Sequence, residues 1–303
     1  MLHAHRVSGP GGQNQWSILP TPRTPRRTND SEETHREQLR PACRRCELPF
    51  MNGDRERGVA EAFVSIANSL VGGYDIVDLY CGLTADCARL LDVSSAGLLL
   101  ADGQGVLHVM AASSESARDL ELLQLQREQG PCLDCYRDGA AVLVPDLSLE
   151  HARWPRFAAA ATAAGFASVH AVPMRLQDTV LGSLNLFGTQ VGALNAKDLS
   201  LAQAFAHVAS IALIAGKSAT DKDTINAQLQ TALTSRVILE QAKGVLSQLG
   251  KLDIDQAFAV LRLYARDHNQ RLTDVAQAVV SENQLAQQVI AHARTKGPRA
   301  TKV

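Results

Sequence analysis

Long apolar runs and net charge are both scarce in this chain. None of its 303 residues lies in a segment approaching the roughly 18 uninterrupted apolar residues of a membrane span, and the N-terminus has no short apolar core of the secretory type. The expectation is a cytoplasmic protein with no membrane partner. Thirty lysines and arginines stand against 31 aspartates and glutamates, a formal net charge of −1, so no global field draws the protein to nucleic acid. Any such contact has to come from a local patch. The chain also has no Walker-type glycine-rich phosphate loop, no Gly-x-Ser-x-Gly elbow and no His-Glu-x-x-His pair. Nothing in it demands bond-making, and the expectation is a protein that is not an enzyme.

What is present is enough apolar material, 46% of residues, for one sizeable core and a small second module, so two domains are expected. Residues 1–50 mix Pro10, Pro20, Pro22 and Pro25 with Arg23, Arg26, Arg27, Arg44 and Arg45 and show no helical or strand period; they read as a disordered tail. Met51 immediately precedes the first helical pattern, which suggests that translation starts there. Cys43, Cys46, Cys81, Cys87, Cys132 and Cys135 are even in number, but a large core needs no disulfide staples and a reducing compartment would open them. Free thiols are expected.

From Val59 the apolar positions Val59, Phe63, Ile66 and Leu70 recur at helical spacing, and a second helix follows with Ile76, Leu79, Tyr80, Leu83 and Cys87. Ala96–Ala101 and Val106–Ala111 read as strands joined by Asp102-Gly103-Gln104-Gly105. A polar helical stretch, 115–129, leads to Val142-Leu143-Val144, an alanine-rich helix around Trp154–Ala164, and two alternating strands, 168–175 and 179–187. Asn195 is placed to cap a closing helix with Leu199, Ala202, Phe205, Ala206, Ala209 and Leu213 on its inner face.

This order of elements, with Gln129-Gly130-Pro131-Cys132, Val144-Pro145-Asp146-Leu147, Ser168-Val169-His170-Ala171-Val172-Pro173-Met174 and Leu181-Gly182-Ser183-Leu184-Asn185-Leu186-Phe187, resembles the GAF domain. The resemblance implies helices packed on an antiparallel sheet and a sensor of a small molecule, whose identity the sequence leaves unknown. Cys132-Leu133-Asp134-Cys135 has redox-pair spacing and falls where a pocket loop of that fold is expected, although inert thiols are the plainer reading. With His170 these cysteines are the ligand or redox candidates, and a GAF-based redox enzyme or thiol sensor is the alternative function. A four-thiolate zinc site joining Cys43 and Cys46 to Cys132 and Cys135 is disfavoured by the long separation, so no metal is expected. His108, His151 and His170 could in principle ligate haem, but lone histidines on strands are more often core or surface.

Beyond a short break at 216–221, Leu233 to Val280 reads as one long amphipathic helix followed by two short ones. Ile238, Ala242, Val245 and Leu249 share a face expected to cover the short helices; Leu233, Val237 and Gly244 form a second seam that suggests a partner helix and a homodimer. Gly244 inside a helix costs about 1 kcal/mol relative to alanine, which points to something approaching closely there. Gly250 stops the helix, and Asp253 with Gln256 approximates a capping box for the next. The run Val237 to Leu246 with Asp255-Gln256-Ala257-Phe258, Leu261-Arg262, Ala265, Asn269, Arg271-Leu272, Asp274-Val275-Ala276 and Val279-Val280 resembles the ANTAR domain. That resemblance implies binding of stem-loops in nascent RNA and regulation of transcription termination. Arg236 and Lys243, seven residues apart, are expected to project together from the remaining face of the long helix, with Glu240 between them; they join Gly244, Arg262 and Arg271 as the RNA-binding candidates.

The expected fold is α+β: a tail, 1–50; a GAF-like sensor, 51–216; a three-helix ANTAR-like module, 217–285; and a basic tail, 286–303. The expected function is signal-responsive transcription antitermination, with the two short helices as a DNA-binding helix-turn-helix kept as a further alternative. For the start at Met51, N-terminal mass spectrometry of the native protein should recover no abundant peptides from residues 1–40; their recovery would overturn it.

Overall fold

The computed structural model describes residues 52–71, 75–215 and 222–296. The expected tail at 1–50 with Cys43 and Cys46, the break at 216–221 and the last basic residues lie outside them.

Two helices open the fold, α1 (Asn52–Val71) and α2 (Ile76–Leu90). Asp75 starts α2 by accepting hydrogen bonds from the Val77 and Asp78 amides, groups that no earlier turn could satisfy. The hairpin of β1 (Ser95–Ala101) and β2 (Leu107–Ala112) follows. Its turn is tied by the Asp102 carboxylate, which accepts from Gln104 and Val106, and Gly105 supplies the positive φ of 81°. Next come α3 (Glu115–Arg127), capped by Ser114, then α4 (Pro131–Asp138), the short β3 (Val142–Val144), a 3₁₀ turn at Leu147–Leu149 and α5 (Pro155–Ala163). β4 (Ser168–Leu176), β5 (Thr179–Gly188) and α6 (Ala196–Ile214) complete this half, α6 being capped by Asn195 as expected. The polar stretch at 115–129 is thus only the first of two helices. Cys132 and Cys135 stand on α4, a helix that the pattern missed because its eight residues are too few for a period to show.

The five strands form one antiparallel sheet in the order β2-β1-β5-β4-β3. Leu98, Leu100, Val172, Met174, Leu184 and Leu186 point to the face covered by α1, α2 and α6, while Val169 and Phe187 meet α3 and α5 on the other. Gly182 sits mid-strand on β5, where a β-carbon would overlap the Leu99 carbonyl of the neighbouring strand.

Four helices follow: α7 (Lys222–Gly250), α8 (Ile254–Asp267), α9 (Leu272–Ser281) and α10 (Asn283–Lys296). The expected capping box of Asp253 and Gln256 is present, and α9 buries Leu272, Val275, Ala276 and Val279. The expected basic tail from 286 is corrected. Ala286, Val289 and Ile290 are buried against the preceding helices, so α10 is a packed fourth helix and a boundary at 285 would cut it. The apolar cluster on the α1–α2–α6 face runs without a gap into that of α7–α10, with α2 lying between.

Gly182→Ala should destabilise the fold by about 1–3 kcal/mol, the usual cost of forcing atoms into a filled space. Urea denaturation reads it, and an unchanged midpoint would show that β5 can move away from β1.

Candidate nucleic-acid interface

Arg236 and Lys243 lie two turns apart and do share a face of α7, but it is not an outward one. They alternate with Ala232, Leu239 and Leu246 along the buried stripe, and are 9% and 5% exposed. Of the face expected to form the core, Ala242 is buried, but the helix is rotated so that Ile238 and Val245 are half-buried against the core and Leu249 is 45% exposed. The physical reason is that α7 is packed from two sides, by α8 and α9 and by the sheet domain. Arg236 and Lys243 face that second contact.

Five charged groups meet there. The Lys243 ammonium donates to Glu115 of α3 at 3.0 Å and lies 3.2 Å from a Glu240 oxygen on its own helix. Arg236 pairs with Glu240 at 2.6 Å. Arg118 of α3 bridges the two carboxylates, 3.2 Å from Glu115 and 3.1 Å from Glu240. The Phe258 ring of α8 covers the ammonium, 5.9 Å from its centroid. Burial pushes the Glu115 carboxyl up, yet the hydrogen bond and charge of Lys243, with Arg118, outweigh it and hold the carboxyl below its ordinary value.

A second set of contacts lies on α2. Arg262 of α8 donates to Asp78 at 2.7 Å. The Asp75 carboxylate that caps α2 also accepts from the Thr273 amide at 2.6 Å and from the Thr273 hydroxyl. One side chain therefore caps two helices, since the α9 cap position, Arg271, makes no side-chain cap of its own. Between the two sets is Cys81. Burial pushes its thiol up to about 11, against the opposing charges of Arg236, Arg262 and Lys243. Three of the four expected RNA-contacting cations thus gather on one side of the C-terminal helices, facing the sheet domain. The fourth, Arg271, is exposed at the start of α9. Gly244 is exposed too, and no atom of the described residues lies within 4 Å of where its β-carbon would be, so the close approach expected there is not made within them. Sequence reasoning missed Asp75, Asp78, Glu115 and Thr273; none belongs to a motif, and only the fold brings them to the cations.

The sensor candidates do not form one site. His170 is in register with Leu186 and lies on the α2–α6 side of the sheet, whereas Cys132 packs with Leu99, Ala101 and Leu107 on the other. His170 is 2% exposed and its Nδ1 has no partner among the described residues; burial lowers its pKa, partly opposed by a hydrogen bond with the Gly192 backbone. It borders a 460 Å³ cavity with Asp92, Ser94, Ser168 and Asn195. Cys132 and Cys135 are both fully buried. Loss of water pushes the Cys135 thiol up to about 12 and Cys132 well above its ordinary value, helped there by Glu121, so both stay protonated and poorly nucleophilic.

Beside Cys132 lies a polar cluster that no motif announced. Glu121 and Gln124 of α3, with Ser183 and Asn185 of β5, are all fully buried. Asn185 donates to Glu121 at 2.7 Å, Gln124 donates to it at 3.0 Å, and the Cys132 amide donates to Gln124 at 3.1 Å. Gly97 and Gly130 make room: a β-carbon at either would overlap Glu121 or Gln124. Burial with no cation nearby pushes the Glu121 carboxyl up to about 8, against the hydrogen bonds from Asn185 and Cys132. The Asn185 carbonyl oxygen is left without a partner among the described residues.

Comparison with known proteins agrees with the two halves. Residues 75–214 match the GAF domain profile and residues 227–280 match the ANTAR domain profile. No curated protein matches the chain. Among solved structures, the GAF domain of an Acinetobacter phosphoenolpyruvate-protein phosphotransferase is 14% identical, over 54% of this chain and 94% of that one, with a TM-score of 0.42. Free methionine-R-sulfoxide reductase from Neisseria meningitidis is 14% identical over 58% and 91%, with a TM-score of 0.41. The GAF domain region of a membrane protein from Geobacter sulfurreducens is 19% identical over 49% and 97%, with a TM-score of 0.39. Likenesses this distant carry no argument about activity. No helix among the described residues is long and apolar enough to cross a membrane.

Because folded Glu121 keeps its proton up to about 8 and an exposed glutamate releases it near 4.5, the folded state binds the extra proton between these values. Stability should therefore fall as pH rises through that window. Urea midpoints measured across it should slope downward, and Glu121→Gln should flatten the slope; an unchanged slope in the variant would assign the titration to another group.

Proposed function

From a chain that carries a GAF domain at 75–214 followed by an ANTAR domain at 227–280, we propose a cytoplasmic, signal-responsive regulator of transcription termination. The ANTAR helices bind stem-loops in nascent RNA, and the GAF domain controls them in response to a small molecule or redox state. By holding hairpins that compete with a terminator, the protein lets polymerase read through. Its chemistry is differential binding.

The observation that supports this most is the convergence of Arg236, Lys243 and Arg262 on one side of the module, each already engaged by a carboxylate. Oxygen anions are what these groups bind in the folded chain, and phosphates of a folded RNA offer the same chemistry. No large positive field is needed, since an RNA stem-loop presents shape and a few placed phosphates. Val237 and Gly244, both exposed on α7, with half-buried Leu233 beside them, leave a narrow strip for a second copy, so the active species is a homodimer. For the signal, the burial of Cys132 and Cys135 favours a ligand over thiol chemistry.

Fluorescence anisotropy with paired stem-loops, an unstructured oligonucleotide and duplex DNA tests the reading. Stem-loops should bind best, and Lys243→Ala should weaken that binding and lower the slope of log affinity against log salt by roughly one. Equal binding to unstructured RNA, or tighter binding to duplex DNA, would overturn it, the latter in favour of a helix-turn-helix. Gly244→Leu, placed in open space, should keep the monomer folded while weakening self-association in sedimentation.

A further inference from the structure

Three of the basic side chains assigned to RNA, Arg236, Lys243 and Arg262, are occupied, and their occupants come largely from the other domain. Lys243 is held by Glu115, Arg262 by Asp78, and Arg236 by Glu240, a carboxylate that Arg118 of the GAF domain also grips. Asp75 adds a fourth contact, to the amide and hydroxyl of Thr273 at the start of α9. The GAF groups stand on only two elements, the N-terminal turn of α2 with its cap (Asp75, Asp78) and the first turn of α3 (Glu115, Arg118). The cations they hold stand on α7 and α8. Lys243 and Arg236 are nearly closed to water here, so a phosphate cannot reach them while the domains are docked.

We propose that Asp75, Asp78 and Glu115 make the GAF domain an internal competitor of RNA, their carboxylates taking the seats of backbone phosphates on the face formed by Arg236, Lys243 and Arg262. Docking and RNA binding on that face exclude each other. RNA therefore binds only the undocked fraction, and its apparent dissociation constant is the intrinsic one divided by that fraction. Anything that loosens α3 or the start of α2 raises RNA affinity without touching the RNA-binding helices. The polar cluster of Glu121 and Gln124 lies on the same α3, one to two turns beyond Glu115 and Arg118. A signal received there acts on the clamp through one rigid element. This inference rests on the RNA-binding reading above and adds its regulation.

The test uses the full chain with Asp75→Asn, Asp78→Asn and Glu115→Gln combined. Asparagine keeps the α2 cap, so the substitutions remove charge while preserving shape. A control chain carries Glu56→Gln, Glu128→Gln and Asp178→Asn, three exposed GAF-side acids. Binding of a stem-loop and of an unstructured oligonucleotide is measured for both chains and for the unaltered protein. The expected result is stem-loop affinity raised about tenfold or more in the interface variant alone, and lost again when Lys243→Ala is added. Equal tightening in both chains would reduce the effect to net charge and overturn the proposal. Unchanged affinity in the interface variant, with clear stem-loop binding by the unaltered protein, would overturn the competition and leave the RNA reading standing. Absence of stem-loop binding by every chain would sink both. Should the interface variant fail to fold, hydrogen exchange on the unaltered protein decides: saturating stem-loop should speed exchange at the start of α2 and in α3, and unchanged or slower exchange there would overturn the proposal.

Discussion

An ammonium that has lost its water is the constraint from which the domain arrangement follows. Lys243 is one-twentieth exposed, and its charge is balanced by Glu240 on its own helix and Glu115 on another domain. Glu240 alone would not suffice, because Arg236 and Arg118 also lean on it. A surface pair of this kind would contribute little, but a buried charge stripped of a partner costs about 3–5 kcal/mol. The position of α3 against α7 is therefore specified by charge as well as by packing. On α2 the Asp75 and Asp78 contacts repeat the logic, with a helix N-terminus and a guanidinium in place of the ammonium.

Two kinds of polar group are arranged on α3. Glu115 and Arg118 face the C-terminal helices, and Glu121 and Gln124 face the sheet. The inner pair is admitted only because positions 97 and 130 are glycine, which gives those residues a reason to be small that has nothing to do with turns. A carboxyl pushed up to about 8 by burial and an amide oxygen with no partner among the described residues, beneath the sheet's covering helices, make that core polar where most of the fold is apolar. The buried polar cluster and the ion pairs to the C-terminal helices thus share one element, α3.

Much of the architecture was legible in the chain because its signals are local. The strands at 168–175 and 179–187 came from alternation, the α6 start from Asn195, and the α8 start from Asp253 and Gln256, each a feature spanning fewer than about ten residues. What failed, failed for want of length or by over-reading a face. The eight residues of α4 hold too few turns for a period, and the expected boundary at 285 falls inside α10. On α7, two overlapping apolar stripes fit the same sequence: one would bury Leu249 and expose Arg236 and Lys243, and packing on two sides selects the other.

Residue types and order alone determined that an antiparallel sheet with helices precedes a bundle of helices, and that Arg236, Lys243 and Glu240 act together, since helical repeat and capping are properties of neighbours along the chain. Only the tertiary structure decided that those cations turn inward onto the GAF domain. Lys243 and Glu115 are 128 positions apart, and no periodicity records a partner at that distance. The choice is made when packing of α7 against α3 brings the two charges together, where the Lys243 ammonium cannot keep its water.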